Sequence, residues 1–175
     1  MLKVCKNLGL LGLALIFLLT GCGLISITLL FDEEINETFV PASFYYYGVD
    51  VTDEEDWEDH KDDIKQANWV TFELYLNNPG GTEITFDGYV DDATSTACTN
   101  ATCAIGKTKI LSNITIPASS QRYISPGESL SYMENMDILR DLAVTGMFNF
   151  YGVSTGGSFE IDSGRIVVAI VAVGP

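Results

Sequence analysis

Between Trp69 and Leu76 the chain alternates without a break, with Val70, Phe72, Leu74 and Leu76 on one side and Trp69, Thr71, Glu73 and Tyr75 on the other. A period of two marks a strand with one face buried. Asn78-Pro79-Gly80-Gly81 then supplies turn chemistry. Ile84, Phe86, Gly88 and Val90 resume on a single face, so the two segments are expected to pair as a hairpin. Phe44 to Val51 is aromatic and β-branched and reads as an earlier strand. Ile110, Ile114 and Ile116 mark a further one, ended by Pro117, and Arg122 to Ser125 and Glu128 to Ser131 read as short extended pieces around Pro126-Gly127. Thr145 to Val153 and Phe159 to Val173 are two closing strands joined by Ser154-Thr155-Gly156-Gly157. Ile166 to Val173 is apolar on both faces, which predicts a last strand covered on both sides.

Helical spacing interrupts this pattern twice. Thr52 or Asp53 caps a helix predicted from about Glu54 to Ala67, with acids in its first turn, Lys61 and Lys65 toward its end, and Trp57, Ile64 and Ala67 as a narrow apolar stripe. Met133, Met136, Leu139 and Leu142 suggest a second, short helix near residues 134–142. Short strands at this spacing, with helices only as insertions, predict an all-β, antiparallel β-sandwich.

Composition changes the picture at the amino terminus. Lys3 and Lys6 precede an apolar stretch from Leu8 to Leu19, then Thr20-Gly21-Cys22, the layout of a secretory signal peptide. Its ending, Leu19-Thr20-Gly21-Cys22, resembles the lipobox of bacterial lipoproteins. The resemblance implies cleavage before Cys22 and lipidation of that residue. Gly23 stands where an aspartate would signal inner-membrane retention, so the outer membrane is favoured if the cell has one. A competing reading is open, because apolar residues resume through Phe31 and Leu8 to Phe31 is long enough for an uncleaved spanning helix. The lipoprotein reading divides the chain into a signal peptide (1–21), a lipid-anchored segment and spacer (22–42) and the sandwich domain (43–175).

Loss of Lys3 and Lys6 leaves seven basic against 24 acidic side chains and moves the formal charge from −15 to −17. Such a balance argues against a nucleic-acid partner and against electrostatic adhesion to anionic lipid. It favours attraction for divalent cations.

The stretch Val70 to Pro79, with its Asn78-Pro79 pair, and the later Ile114-Thr115-Ile116-Pro117 look like the late-embryogenesis-abundant type 2 domain. That resemblance, over residues 43–173, implies an Ig-like sandwich without catalytic residues.

Candidate chemistry is sparse. Cys98 and Cys103 remain after Cys5 leaves and Cys22 is lipidated; in an oxidising compartment the pair most simply forms one disulfide. A metal site there would need two more ligands, and the sole histidine, His60, lies in another element. Eight carboxylates fall between Asp53 and Asp63, and Asp59, Asp62 and Asp63 are weak candidates for a divalent cation. They lack EF-hand spacing, and a solvated acidic face is the alternative. No nucleophile elbow, zinc-protease helix or phosphate loop occurs in the sequence; paired carboxylates such as Asp87 with Asp91 or Asp92 have glycosidase-like chemistry, but they border a hairpin end, where keeping it wet is the simpler role. Trp69, Tyr75 and Tyr89 fall on the polar side of their strands, where they would make a platform for carbohydrate or protein unless the 54–67 helix covers them. These features predict a non-enzymatic envelope module without cofactor, either structural or binding, with a calcium-dependent adhesin as the alternative and an envelope hydrolase as the third reading. Its partners would be the membrane, through the anchor, and an envelope protein or glycan.

Overall fold

The computed structural model describes residues 26–35 and 42–173. Eight strands form two four-stranded sheets: β1 (Ser26–Ile35), β8 (Glu160–Val173), β3 (Ile64–Asn78) and β6 (Ser120–Ile124) in the first, and β2 (Phe44–Asp50), β7 (Met147–Thr155), β4 (Ile84–Asp92) and β5 (Thr108–Ile116) in the second. Among the described residues four short helices accompany them: α1 (Glu55–His60), α2 (Ala101–Ile105), α3 (Pro126–Ser129) and α4 (Met136–Val144). All strand pairs are antiparallel. The antiparallel all-β sandwich read from the alternation is the architecture observed. Within that class, β1 pairs β8, β2 pairs β7, β3 pairs β6 and β4 pairs β5, so the chain is one long hairpin rolled over itself. This nested order is that of a double-sheet jelly roll rather than the ABED/CFG order of an Ig-like sandwich.

The core lies between the sheets. Val70, Phe72, Leu74 and Leu76 of β3 are fully buried, as are Phe86 and Phe150 across from them, and Phe72 stacks on Phe150 at 5.3 Å between ring centroids. The doubly apolar β8 is central in its sheet, between β1 and β3.

The hairpin expected from β3 and β4 does not form, because the two strands lie in opposite sheets. Alternation aims both apolar faces at the same core in either arrangement, so it leaves the pairing partner open. The choice is made at the corner. The Asn78 side chain, wholly buried, donates to the carbonyls of Thr82, Ile116 and Pro117 and accepts from the Gly80 N–H. It thus ties the β3–β4 crossing to the β5–β6 crossing and brings the Asn-Pro and Ile-Pro pairs together.

Three further expectations are corrected. The helix drawn over 54–67 stops at His60, and Ile64 onward belongs to β3, where Ile64 and Ala67 pair with Ala172 and Ile170. The apolar end of β8 needs a ladder partner along its length, and six residues loaded with like charges make a weak helix to extend. Residues 26–35, placed in the spacer, form β1 and pair with β8 throughout, with Phe31 and Ile35 buried, so the sandwich starts at Ser26 rather than at 43. Glu128 to Ser131 is not extended: α3 begins at Pro126 with the Ser125 side chain accepting from the Glu128 N–H. Ser125-Pro126-Gly127-Glu128 is a legible helix start, with a capping-box spacing and proline at the first turn.

β6 pairs only with Leu74 to Asn78 of β3. Where it ends, α3 and α4 take over the exposed β3 edge: the Phe72 N–H donates to Ser129 Oγ at 3.1 Å, and Leu139 and Ala143 of α4 are buried in the core. This substitution of helices for a strand shapes the cleft described below.

Candidate functional site

The two sheets differ in what covers their outer faces. Over the second sheet lies the 93–107 segment, pinned by a Cys98–Cys103 disulfide with 5.5 Å between Cα atoms. It buries Tyr89, Tyr151 and Val153 together with Cys98 and Ala104. Polar atoms under this roof are satisfied by one carboxylate. Asp91 accepts from the Tyr151 hydroxyl and from Asn149 Nδ2, both at 2.9 Å, and pairs with Lys107 Nζ at 2.5 Å. The Cys98 N–H donates to the Tyr151 oxygen at 3.2 Å, which joins the disulfide loop to the sheet.

Two predictions follow from this roof. Replacing Cys98 and Cys103 with serine should lower stability by about 2 kcal/mol, the loop-closure entropy of so short a ring. Hydrogen exchange should quicken over 93–107 while the strands stay protected; global loss of protection would contradict a local role. The Tyr151 phenol is pushed up to about 12, first by burial, with the Asp91 carboxylate adding to the rise and the Cys98 N–H opposing it. An unfolded tyrosine ionises near 10, so this group's stabilisation is complete below pH 10 and lost as pH rises from there through 12. Alkaline titration of tyrosinate absorbance should show at least one phenol, Tyr151, that ionises only as the fold opens; all phenols titrating together near 10 would refute it.

The outer face of the first sheet has no such roof. Trp69, Glu73 and Tyr75 point outward from β3, and Trp69 and Tyr75 keep 39% and 43% of their surface exposed. Tyr123, directly opposite Tyr75 on β6, lies 4.5 Å away ring to ring and donates its hydroxyl to Glu73. Glu73 also receives Arg165 through Nε and a terminal nitrogen at 3.0 and 2.6 Å, so the charged middle of the face is internally neutralised.

Two clefts lie along this face, one of them walled by that ion pair. One, of about 370 Å³, is walled by Tyr75, Glu73 and Arg165 over the β8 backbone at Ser163-Gly164. The other, of about 490 Å³, lies between β3 and the α3–α4 segment and is lined by Trp69, Thr71, Pro126, Leu130, Met136 and Arg140. Thr71 is only 5% exposed and its hydroxyl has no hydrogen-bond partner; Arg140 Nε is likewise buried and unpartnered. Each such group costs about 1–3 kcal/mol when nothing pairs with it. Two at the floor of one cleft, beside an exposed indole, form the densest concentration of unmet bonding capacity among the described residues.

Of the aromatics singled out in the sequence, Trp69 and Tyr75 therefore share one open face. Tyr89 does not join them: it lies on the other sheet, 4% exposed under the disulfide loop. Nor does a 54–67 helix cover Trp69 and Tyr75, since α1 ends before β3 begins. Asp59 and Asp62 are exposed, and no group of three or more His, Cys, Asp or Glu converges to hold a metal among the described residues. Asp87 pairs with Lys109 at 2.9 Å and accepts from the Asn113 N–H, while Asp91 serves the roof. Cys22 lies outside the described residues. Thr71, Tyr123 and Arg140 were not singled out; Tyr123 and Thr71 carried the signal of outward strand positions, but Arg140 reaches the cleft only through tertiary packing.

No protein-family model matches this chain, and no curated protein matches its sequence. Among solved structures it is similar to a Desmodium yellow mottle tymovirus chain (TM-score 0.37, 9% identity, covering 87% of this chain and 90% of that one). It is also similar to a turnip yellow mosaic virus chain (0.35, 10%, 87% and 95%). A chain of the infectious bursal disease virus Gx strain follows (0.33, 11%, 84% of this chain and 32% of that one). At these scores the architecture rests on the strand order itself.

Proposed function

We propose that this chain is an exported, lipid-anchored, non-enzymatic binding module of the cell envelope, held at Cys22 and presenting the outer face of its first sheet. The observation that carries the binding reading is the asymmetry of the two outer faces. One is roofed and crosslinked, its Asp91 carboxylate paired with Lys107; the other exposes Trp69, Tyr75 and Tyr123 beside two clefts, one of which has buried polar atoms without a hydrogen-bond partner at Thr71 and Arg140. Exposed aromatics of this kind are enriched at binding surfaces.

The address rests on Leu19-Thr20-Gly21-Cys22, and two features fit it. A Cys98–Cys103 disulfide suits an oxidising exported compartment. Because Ser26 to Phe31 belongs to β1, the apolar run left to an uncleaved spanning helix shortens to residues 8–25, at the lower end of a bilayer-spanning length. Only Gly23, Leu24 and Ile25 separate Cys22 from the sheet, so the anchor would hold the Ser26 end of β1 near the membrane. Ile64 lies at that same end, since Ser26 pairs with Val173 and Ile64 with the neighbouring Ala172. Measured along β3 from Ile64, Trp69 stands about 16 Å and Tyr75 about 36 Å away, so strands standing along the membrane normal would hold the open face clear of the lipid. With a formal charge of −17 on the mature chain, nucleic acid is not among the partners proposed.

Intact mass spectrometry of protein extracted from its native membrane tests the address. The expected result is a chain that begins at Cys22 and carries acyl mass; Met1 retained, or no acyl mass, would overturn it in favour of a spanning helix.

A further inference from the structure

We infer that the Trp69 cleft is a sugar-binding site whose ligand is a neutral glycan chain running along β3; this rests on the binding-face reading above and supplies its ligand class. A pyranose ring has an apolar face of C–H bonds and a rim of hydroxyls. The exposed indole of Trp69 offers the complementary surface, a negative π face for those C–H bonds. Below it, the Thr71 hydroxyl and the Arg140 guanidinium lack partners at buried atoms. A hydroxyl rim can both donate and accept, so modest side-chain rotation on binding would satisfy both. An aliphatic or aromatic ligand would fill the cleft and leave them unpaired.

Charge narrows the class. Arg140 already faces Asp137 at 3.9 Å, Arg165 is held by Glu73, and the chain as a whole is strongly acidic. The face has no net positive field to repay desolvation of a carboxylate or phosphate, and nothing in it is built as a cation cage. Neutral, hydroxyl-rich ligand remains. The two clefts adjoin along β3, and Tyr75, the aromatic wall of the second, stands about 20 Å from Trp69 on the same strand, too far for one sugar to touch both rings and well placed for a chain that contacts both. A protein partner would need about 800 Å² of continuous surface on this side, whereas here two open clefts are interrupted by the Glu73–Arg165 pair that walls one of them.

The chain contains two tryptophans, and only Trp69 is exposed, Trp57 being buried. Emission and iodide quenching therefore report on the cleft. The purified mature domain should be titrated with neutral oligosaccharides of glucose (α- and β-linked), mannose and N-acetylglucosamine, with oligogalacturonate as the anionic comparator and anionic and zwitterionic phospholipid vesicles as lipid comparators. Calorimetry should run in parallel. At least one neutral series is expected to shield Trp69 from iodide, with affinity rising with chain length. Trp69→Ala should weaken binding about tenfold or more, the scale of one lost stacking contact, with the circular dichroism unchanged. Tyr75→Ala should weaken long chains and spare short ones. Thr71→Val should raise the melting temperature of the free protein, by removing an unpaired buried hydroxyl, and still weaken sugar binding. A purely structural threonine would not move both.

Silence of Trp69 toward every neutral series would overturn the inference, as would shielding by oligogalacturonate or vesicles alone. The binding-face reading fails separately: if sugars are silent but photocrosslinkers at 69 and 75 still capture an envelope component, that reading stands and the glycan does not.

Discussion

Trp57→Ala is expected to destabilise the protein by about 3–5 kcal/mol, the range for deletion of a large aromatic from a packed site. Trp57 is 6% exposed although it sits on a six-residue, strongly acidic helix. Its ring meets Phe31 of β1 edge to face at 5.4 Å. On another side it lies against Gly146, where φ is +76° and a Cβ would come within 2.5 Å of the indole. One side chain therefore joins the edge strand β1, α1 and the α4–β7 turn. In the alanine variant, residues 26–35 should lose hydrogen-exchange protection before the rest of the first sheet. Gly146→Ala should also be destabilising, through both the indole clash and the left-handed backbone. A chemical denaturation midpoint equivalent to less than about 1 kcal/mol of loss for Trp57→Ala would contradict this packing.

Asp91→Ala should cost about 3 kcal/mol or more, because it strips partners from three groups at once. The Tyr151 hydroxyl, the Asn149 amide and the Lys107 ammonium all converge on this carboxylate. Asp91→Asn keeps an acceptor for Tyr151 and should cost less. In a double-mutant cycle, Lys107→Met should be milder alone and should recover part of the Asp91→Ala loss, since the uncompensated ammonium is then absent. The damage should be confined to the second sheet's roof. Binding at Trp69, on the opposite sheet, should be unchanged. Equal loss at both faces would argue that the sandwich transmits strain and that the two faces are not independent.

What the sequence displays and what it hides follow a physical division. Period-two alternation in β3 and the doubly apolar run of β8 are local signals, and both segments are strands; but β8 is not covered on both sides as its run predicted, since Val167 and Val171 on the unroofed outer face are only half-buried. The pairing partner is not local: Val70 to Leu76 and Ile84 to Val90 would face the same core as a hairpin or as strands of opposite sheets, and the choice was made by the buried Asn78 corner. β1 was hidden because a short apolar run such as Ile27 to Phe31 reads equally as strand or as the tail of an anchor. The same holds for the site. Trp69 and Tyr75 were visible as aromatics on a polar strand face, and they stay exposed. Tyr89 carried the identical signal and is buried, because the disulfide loop that covers it comes from another stretch of chain. Thr71 Oγ1 and Arg140 Nε, both buried without a hydrogen-bond partner, come together only when α4 packs beside β3 where β6 has ended.

The central claim is that the open face of the first sheet is where this domain, which we propose to be membrane-tethered, meets its partner. Photocrosslinking in the native membrane, from a probe placed in turn at positions 69, 75, 97 and 102, tests it most directly. Adducts of higher mass from 69 and 75, and none from 97 and 102 on the disulfide roof, are the predicted result. Adducts from the roof positions alone, or equally from both faces, would contradict it.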